Sequence, residues 1–238
     1  MKKIVFLLAG LCFSMLLLAQ KQLVVDPNAE IRSISGSFDS VMVSGGIDLY
    51  LSQSDEEAVA VSASEEKYIQ GIKTIVEDNT LKIYYEGEKT WTGHNKHMRA
   101  YVSFKSLQKL DASGASDIVV AGEIKVGSLL LKLSGASDFK GKVIVNALVM
   151  DLSGASDVNI SGTASVVNIE SSGASDIKGY DLTTDVCNAK ASGASDVKIT
   201  INKELNAHAS GASYIYYKGS AVIKNIQSSG ASSISKKD

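Results

Sequence analysis

Across the second half of the chain, apolar and polar positions recur in columns. With the sequence aligned on a repeated Ser-Gly, the residue three before the Ser reads Leu131, Met150, Ile169, Ala189, Ala207 and Ile226. The residue just before it reads Leu133, Leu152, Ser171, Ala191, Ala209 and Ser228, small or apolar throughout. Between the two stand Lys132, Asp151, Glu170, Lys190, His208 and Gln227. That in-out-in alternation predicts a strand with one face buried. Beyond the Ser-Gly comes a column apolar in every copy: Ile118, Phe139, Val158, Ile177, Val197, Ile215 and Ile234. A further alternating stretch follows in most copies, with the pairs Ile124/Val126, Val143/Val145, Ala164/Val166 and Ala221/Ile223. No segment between the marks has the length or period of a solenoid helix, and the Leu/Asn ladder of a leucine-rich repeat is missing.

The marks themselves are near-copies of one pentapeptide, Ser-Gly-Ala-Ser-Asp, beginning at Ser113, Ser134, Ser153, Ser172, Ser192, Ser210 and Ser229. In the last two copies the Asp gives way to Tyr214 and Ser233. Successive starts are 21, 19, 19, 20, 18 and 19 residues apart. A fixed period near 19 with short β-branched strands predicts an all-β fold, a parallel β-helix in which each repeat is one coil. Seven coils at strand spacing extend roughly 34 Å. Equivalent residues then form ladders: Gly at a corner needing positive φ or close approach, Ala at a tight interior bend, Ser and Asp bonding nearby backbone N–H groups.

The first half is less regular. Residues 38–51 read as a worn copy, with Ser44-Gly45-Gly46 before Ile47. Val59–Ala63 predicts a strand, and the stretch from Ser64 to Ile72 one or two helical turns with Ser64 as cap. Thr74–Val76 and Leu81–Tyr85 predict a hairpin about Asp78-Asn79. Glu86–Lys96 reads as a polar loop, and Arg99–Phe104 as a strand leading into the regular coils.

As a set, Gly46-Ile-Asp-Leu-Tyr-Leu51, the strand Thr80-Leu-Lys-Ile-Tyr84 and Leu107-Gln-Lys-Leu-Asp-Ala-Ser-Gly-Ala-Ser-Asp117 resemble the family named putative auto-transporter adhesin, head GIN domain. The likeness runs from Ile31 to the C-terminus. It implies a right-handed parallel β-helix, a bacterial source and an envelope or extracellular location. The expected organisation is a signal peptide over 1–19, an N-terminal segment over 20–30, and one head GIN-like domain over 31–238. That domain divides into irregular coils over 31–106 and regular coils over 107–238. The chain carries no C-terminal strand pattern of a translocator barrel, which argues against self-export.

Lys2 and Lys3 before the apolar run Ile4–Leu18, with Ala19 following, make a signal sequence too short for a permanent span. Cys12 offers a competing lipoprotein reading, disfavoured by Leu11 before it and the apolar stretch after it. Removing two lysines takes 24 basic and 26 acidic residues to 22 and 26, moving the formal charge from -2 to -4. So mild a balance gives nucleic acid no basic face to bind. Past the signal only Cys187 remains, so no intramolecular disulfide forms, and the residue reads as an inward structural thiol.

The candidate site is the column Asp117, Asp138, Asp157, Asp176 and Asp196. Carboxylates at strand spacing repel by about 0.9 kcal/mol per neighbouring pair in water. Hydrogen bonds to backbone N–H groups and adjacent Ser hydroxyls would offset this; so would weakly bound Ca²⁺ held by oxygen ligands. His94 and His97 lack a third metal ligand at motif spacing. Trp91, in the polar loop, and Tyr214 with Tyr216, on one strand face, are candidate binding surfaces for a glycan or a cell-surface protein. No Gly-x-Ser-x-Gly elbow or phosphate-binding loop occurs. The expectation is an exported, non-enzymatic adhesive module without a cofactor, in the periplasm, on the outer surface or outside the cell. The rival is a polysaccharide lyase or hydrolase, resting on fold analogy; ice binding is disfavoured because the ladder carries Asp rather than Thr.

Overall fold

In a computed structural model, residues 26, 28–87 and 96–238 are described. The signal segment, Cys12, Trp91 and His94 lie outside the described residues. The fold is a β-solenoid of about seven turns with ~19-residue coils and almost no helix. Each regular coil runs along three walls. Wall 1 leads into the Ser-Gly corner, wall 2 leaves it, and wall 3 returns.

The corner explains the pentapeptide. The Gly has positive φ in every copy, +79° at Gly154. Its carbonyl accepts from the Ala N–H of the next coil, as in Ala155 N to Gly135 O and Ala174 N to Gly154 O, each 2.7 Å. The interior expectation for Ala is corrected. The Ala residues face solvent, and the second Ser turns inward, with Ser116, Ser137, Ser156, Ser175, Ser195 and Ser213 buried. A buried hydroxyl needs a partner. It finds one three residues back: Ser156 Oγ donates to Ser153 O at 3.0 Å, Ser175 to Ser172 O at 3.0 Å and Ser195 to Ser192 O at 2.9 Å.

The strands are β1 (Glu30–Arg32), β2 (Ser40–Val43), β3 (Asp48–Gln53), β4 (Ala58–Ser62), β5 (Ile72–Glu77), β6 (Thr80–Tyr85), β7 (Arg99–Phe104), β8 (Lys109–Ala112) and β9 (Ile118–Ala121). They continue as β10 (Ile124–Leu133), β11 (Asp138–Leu152), β12 (Asp157–Ser171), β13 (Asp176–Ala191), β14 (Asp196–Ala209), β15 (Tyr214–Lys218), β16 (Val222–Ser228) and β17 (Ser233–Lys236). One helix, α1 (Glu66–Gly71), joins β4 to β5. Strands β10 to β14 bend round corners and serve more than one wall. Wall 1 stacks β5, β6, β2, β8, the second parts of β10 to β14, then β16. Wall 2 stacks β1, β4, β7, β3, β9, the first parts of β11 to β14, then β15 and β17.

Stack order therefore departs from chain order. The coil made by β2 and β3 lies between β6/β7 and β8/β9, so β7 does not lead straight into the regular coils. Residues 105–108 instead cross that coil, with Gln108 N donating to Asp39 O at 2.6 Å. The worn copy is also re-registered: Leu49 pairs Ile118, so Asp48 occupies the Asp position and Ile47 the inward Ser position. The predicted hairpin is present, with φ of +49° and +57° at Asp78 and Asn79, as its tight turn demands. Ser64 does not cap α1. The capping position is Glu65, without a side-chain cap, and Ser64 N instead donates to Lys96 O at 2.9 Å.

Inside, the columns are as the alternation predicts. Leu131, Met150, Ile169, Ala189 and Ala207 are buried beside Phe139, Val158, Ile177, Val197 and Ile215. On wall 3 the pairing is corrected: Gly162, not Ala164, stacks on Val143, Ala164 stacks on Val145, and Val166 and Ile223 stack on Ala147 and Leu205 of wall 1. Glycine enters there because a Cβ at Gly162 would overlap the Val143 carbonyl.

Candidate binding surfaces

Wall 2 carries the Asp column on its outer side. Asp138, Asp157, Asp176 and Asp196 stack in strand register, with Tyr214 next. Pairing of Asp48 with Arg99, and of Leu49 with Ile118, extends the column past Asp117 to Asp48 and ends it on Arg99. The extension was missed at sequence level, although Ser44-Gly45-Gly46-Ile47-Asp48 keeps the Ser-Gly-x-x-Asp spacing.

Around Asp157 and Asp176 lysines offset the repulsion. Two residues beyond each Asp runs a second outward column that contains Lys140, Lys178 and Lys198. Lys178 Nζ lies 3.2 Å from Asp157 Oδ2 and 3.5 Å from Asp176 Oδ2, and Lys198 Nζ lies 3.8 Å from Asp176 Oδ1. Asp157 N also donates to Asp138 Oδ1 at 3.3 Å. The corner Ser hydroxyls take no such part, being committed to backbone carbonyls. At the N-terminal part of the column burial and like charge prevail. Asp117 is held above the usual carboxylate range, first by desolvation and then by Asp138 and Asp48. Asp48 is raised by desolvation, against the pull of Arg99 and His97. Among the described residues, no three His, Cys, Asp or Glu side chains are grouped to hold a metal ion.

Tyr214 and Tyr216 share the outer side of wall 2, as alternation predicts. Their rings stack with centroids 5.9 Å apart and planes 5° from parallel. Lys237 Nζ sits 4.4 Å from the Tyr216 ring centre, and Lys218 Nζ 5.1 Å from that of Tyr180. The cluster is an aromatic strip edged by ammonium groups. Trp91 lies outside the described residues.

Wall 1 bears a surface that sequence reasoning missed. Asn168, Asn188, Asn206 and Asn225 stack in register on its outer side. Asn188 Nδ2 donates to Asn168 Oδ1 at 2.8 Å, and Asn206 Nδ2 to Asn188 Oδ1 at 2.9 Å. Beside this amide ladder runs the predicted polar column Asp151, Glu170, Lys190, His208 and Gln227, in which His208 Nδ1 meets Gln227 Oε1 at 3.2 Å. A shallow groove of about 580 Å³ lies along the two columns. The signal was in the alignment, since the residue four before each corner Ser is Asn in four successive copies.

Cys187 is buried as expected, and burial pushes its thiol up to about 12, where it is neutral and unreactive at ordinary pH.

The model of the family described as putative auto-transporter adhesin, head GIN domain, matches residues 37–221. Among solved structures, a putative adhesin from Bacteroides fragilis is similar with a TM-score of 0.82 and 21% identity, over 88% of this chain and 96% of that one. A putative lipid binding protein from Parabacteroides distasonis is similar with a TM-score of 0.65 and 21% identity, over 90% and 98% of the two chains. A putative adhesin from the same species gives 0.66 and 19%, over 88% and 96%. At these identities the likeness shows the fold alone. No curated protein matches the sequence.

Proposed function

The chain belongs to the head GIN domain family, and from that premise we propose that it is an exported, non-enzymatic adhesive module of the bacterial envelope that grips an extended glycan along wall 1. The observation that carries the reading is the amide ladder with its neighbouring polar column. Amide donors and acceptors recur once per coil on a flat, accessible face, at about 4.8 Å intervals. A ligand with hydroxyls repeating along a chain can bond to several rungs together, so weak single contacts add up to useful affinity. The carboxylates on wall 2 are spread along a column, with Asp157 and Asp176 engaged by lysines, rather than facing one another across a cleft as glycoside hydrolysis requires. Family membership supports a location at the surface or beyond it.

A glycan array, run with a reducing-sugar assay on the same polysaccharides, tests the proposal. Binding without product release, weakened by a combined Asn188→Ala and Asn206→Ala change, is the expected result. Product release would make the chain an enzyme. Binding to surface protein in the absence of any glycan signal would move the ligand to a different class.

A further inference from the structure

We infer that copies of this chain join head to tail, the basic C-terminal end of one solenoid seating on the acidic N-terminal end of the next. The inference rests on the ends of the stack and is independent of the glycan proposal.

Among the described residues, both ends finish in strands paired on one side only, on the same two walls. At the C-terminal end β16 closes wall 1 and pairs only β14, while β17 closes wall 2 and pairs only β15. At the N-terminal end β5 closes wall 1 and pairs only β6, while β1 closes wall 2 and pairs only β4. The facing strands match in length: seven residues in β16 against six in β5, and four in β17 against three in β1. Their directions allow pairing too. Strand β5 runs against its wall, so it would pair β16 antiparallel. Strand β1 is antiparallel to β4, which is antiparallel to β7, so it runs with the coils and would pair β17 parallel.

The exposed apolar side chains collect at the same places. Of the seven large hydrophobics that face solvent among the described residues, five lie on these end strands: Ile31, Ile75, Val222, Ile223 and Ile226. Ile223 and Ile226 continue core columns, stacking on Leu205 and Ala207, and no further coil covers them among the described residues. The corner tells the same story. Each earlier glycine of the pentapeptide bonds to the coil above it, whereas Gly230 has no following coil among the described residues.

Charge chooses the polarity of the joint. After Glu204 the chain carries Lys218, Lys224, Lys236 and Lys237 against the single acid Asp238. The strands and helix of the opposite end, with the adjoining Glu65 and Asp78, carry five acids (Glu30, Glu65, Glu66, Glu77 and Asp78) against three bases (Arg32, Lys67 and Lys73), a net charge of -2. Lysines on an edge strand discourage pairing with a like edge. Two C-terminal ends meeting about a twofold axis would bring lysine against lysine, and two N-terminal ends one net negative charge against another. Head-to-tail union brings opposites together, and because a rod does not close on itself, it leads to open chains of copies.

Sedimentation velocity on the purified chain, over a range of concentrations, is the test. Species growing past dimer as concentration rises are expected, with association roughly tenfold weaker at about 0.5 M salt. A chain carrying Lys224→Glu, Lys236→Glu and Lys237→Glu should be monomeric alone, as should one carrying Glu30→Lys, Glu77→Lys and Asp78→Lys. Mixing the two should restore assembly, because every joint is then between opposite charges. Circular dichroism checks that both remain folded; if either does not, the salt series on the unaltered chain decides. A monomer at every concentration, an assembly that stops at two, salt-insensitive association, or a mixture of folded reversed chains that stays monomeric would each overturn the inference.

Discussion

Replacing Gly154 by Ala tests the stacked corner most directly. Gly154 has φ +79°, a conformation that costs a residue with a Cβ about 1–2 kcal/mol. The new methyl would also press on the backbone of the coil below, against the Gly135 carbonyl oxygen and 2.9 Å from Gly135 N. Backbone held by hydrogen bonds on both sides cannot step aside as a side chain can, and overpacking of this kind costs about 1–3 kcal/mol more. The expected loss is therefore about 2–5 kcal/mol. Two controls divide that sum. Gly122 also has positive φ, +89°, but nothing lies within 4 Å of its would-be Cβ, so Gly122→Ala should lose only the about 1–2 kcal/mol of strain. Gly127 has open space and no positive φ, so Gly127→Ala should be neutral or gain up to about 1 kcal/mol by stiffening the unfolded chain. Urea unfolding followed by far-ultraviolet circular dichroism ranks the three. If Gly154→Ala and Gly122→Ala lose the same amount, the close approach between coils is not there and the account of the corner fails.

The remaining expectations use other parts of the molecule. Cys187 should resist a thiol reagent in the folded chain and react as fast as a free cysteine in urea; rapid labelling of the native protein would contradict its burial. Asp117 has a raised native value, so its contribution to stability is fully present below the ordinary value of 3.8 and is lost as pH rises through the raised one. Asp117→Asn should accordingly be more stable than the parent at neutral pH, with the gap closing as pH falls below 3.8; a gap that widens on acidification would reverse the assignment. Because Lys178 and Lys198 already engage the Asp column, melting temperatures in excess Ca²⁺ and in chelator should coincide, and a rise with Ca²⁺ concentration would show that the carboxylates bind it.

The coil was readable because its physics is periodic. A buried position repeated every ~19 residues leaves an apolar column that no single strand would reveal, and Ile118, Phe139, Val158, Ile177 and Val197 display it plainly. The two interior errors share a cause, the use of polarity as a substitute for burial. Ser156 goes inside because its hydroxyl reaches the Ser153 carbonyl, while Ala155 stays outside because the positive-φ glycine has already turned the chain. On wall 3, the apolar pair Ala164/Val166 drew the column away from Gly162, which holds the place because no Cβ fits against Val143. The crossing of residues 105–108 left no periodic trace. Its consequence was legible all the same: the worn corner at Ser44–Asp48 can stack only on another corner, so it must lie against 113–117 even though sixty-odd residues intervene.

The candidate surfaces follow from the same geometry. In a pocket enzyme, chemistry comes from a few unlike groups converging on one point, and sequence spacing rarely reveals the convergence. In a solenoid, like groups align along a line, and the alignment is in the sequence once the register is known. In the sequence the Asn ladder is overshadowed by the more regular pentapeptide, whose Gly and second Ser serve the corner. The outward positions on wall 1 vary more, as surface positions do, and four asparagines among them are easily taken for composition. Their side-chain bonds of 2.8 and 2.9 Å pre-order the amides in one direction along the stack, which lowers the entropy cost of presenting them to a repeating ligand. On the glycan proposal length becomes a variable of function: each coil added to wall 1 adds a rung, and each copy joined end to end would add a whole ladder, so affinity for a long polymer should grow with assembly even though no single rung is strong.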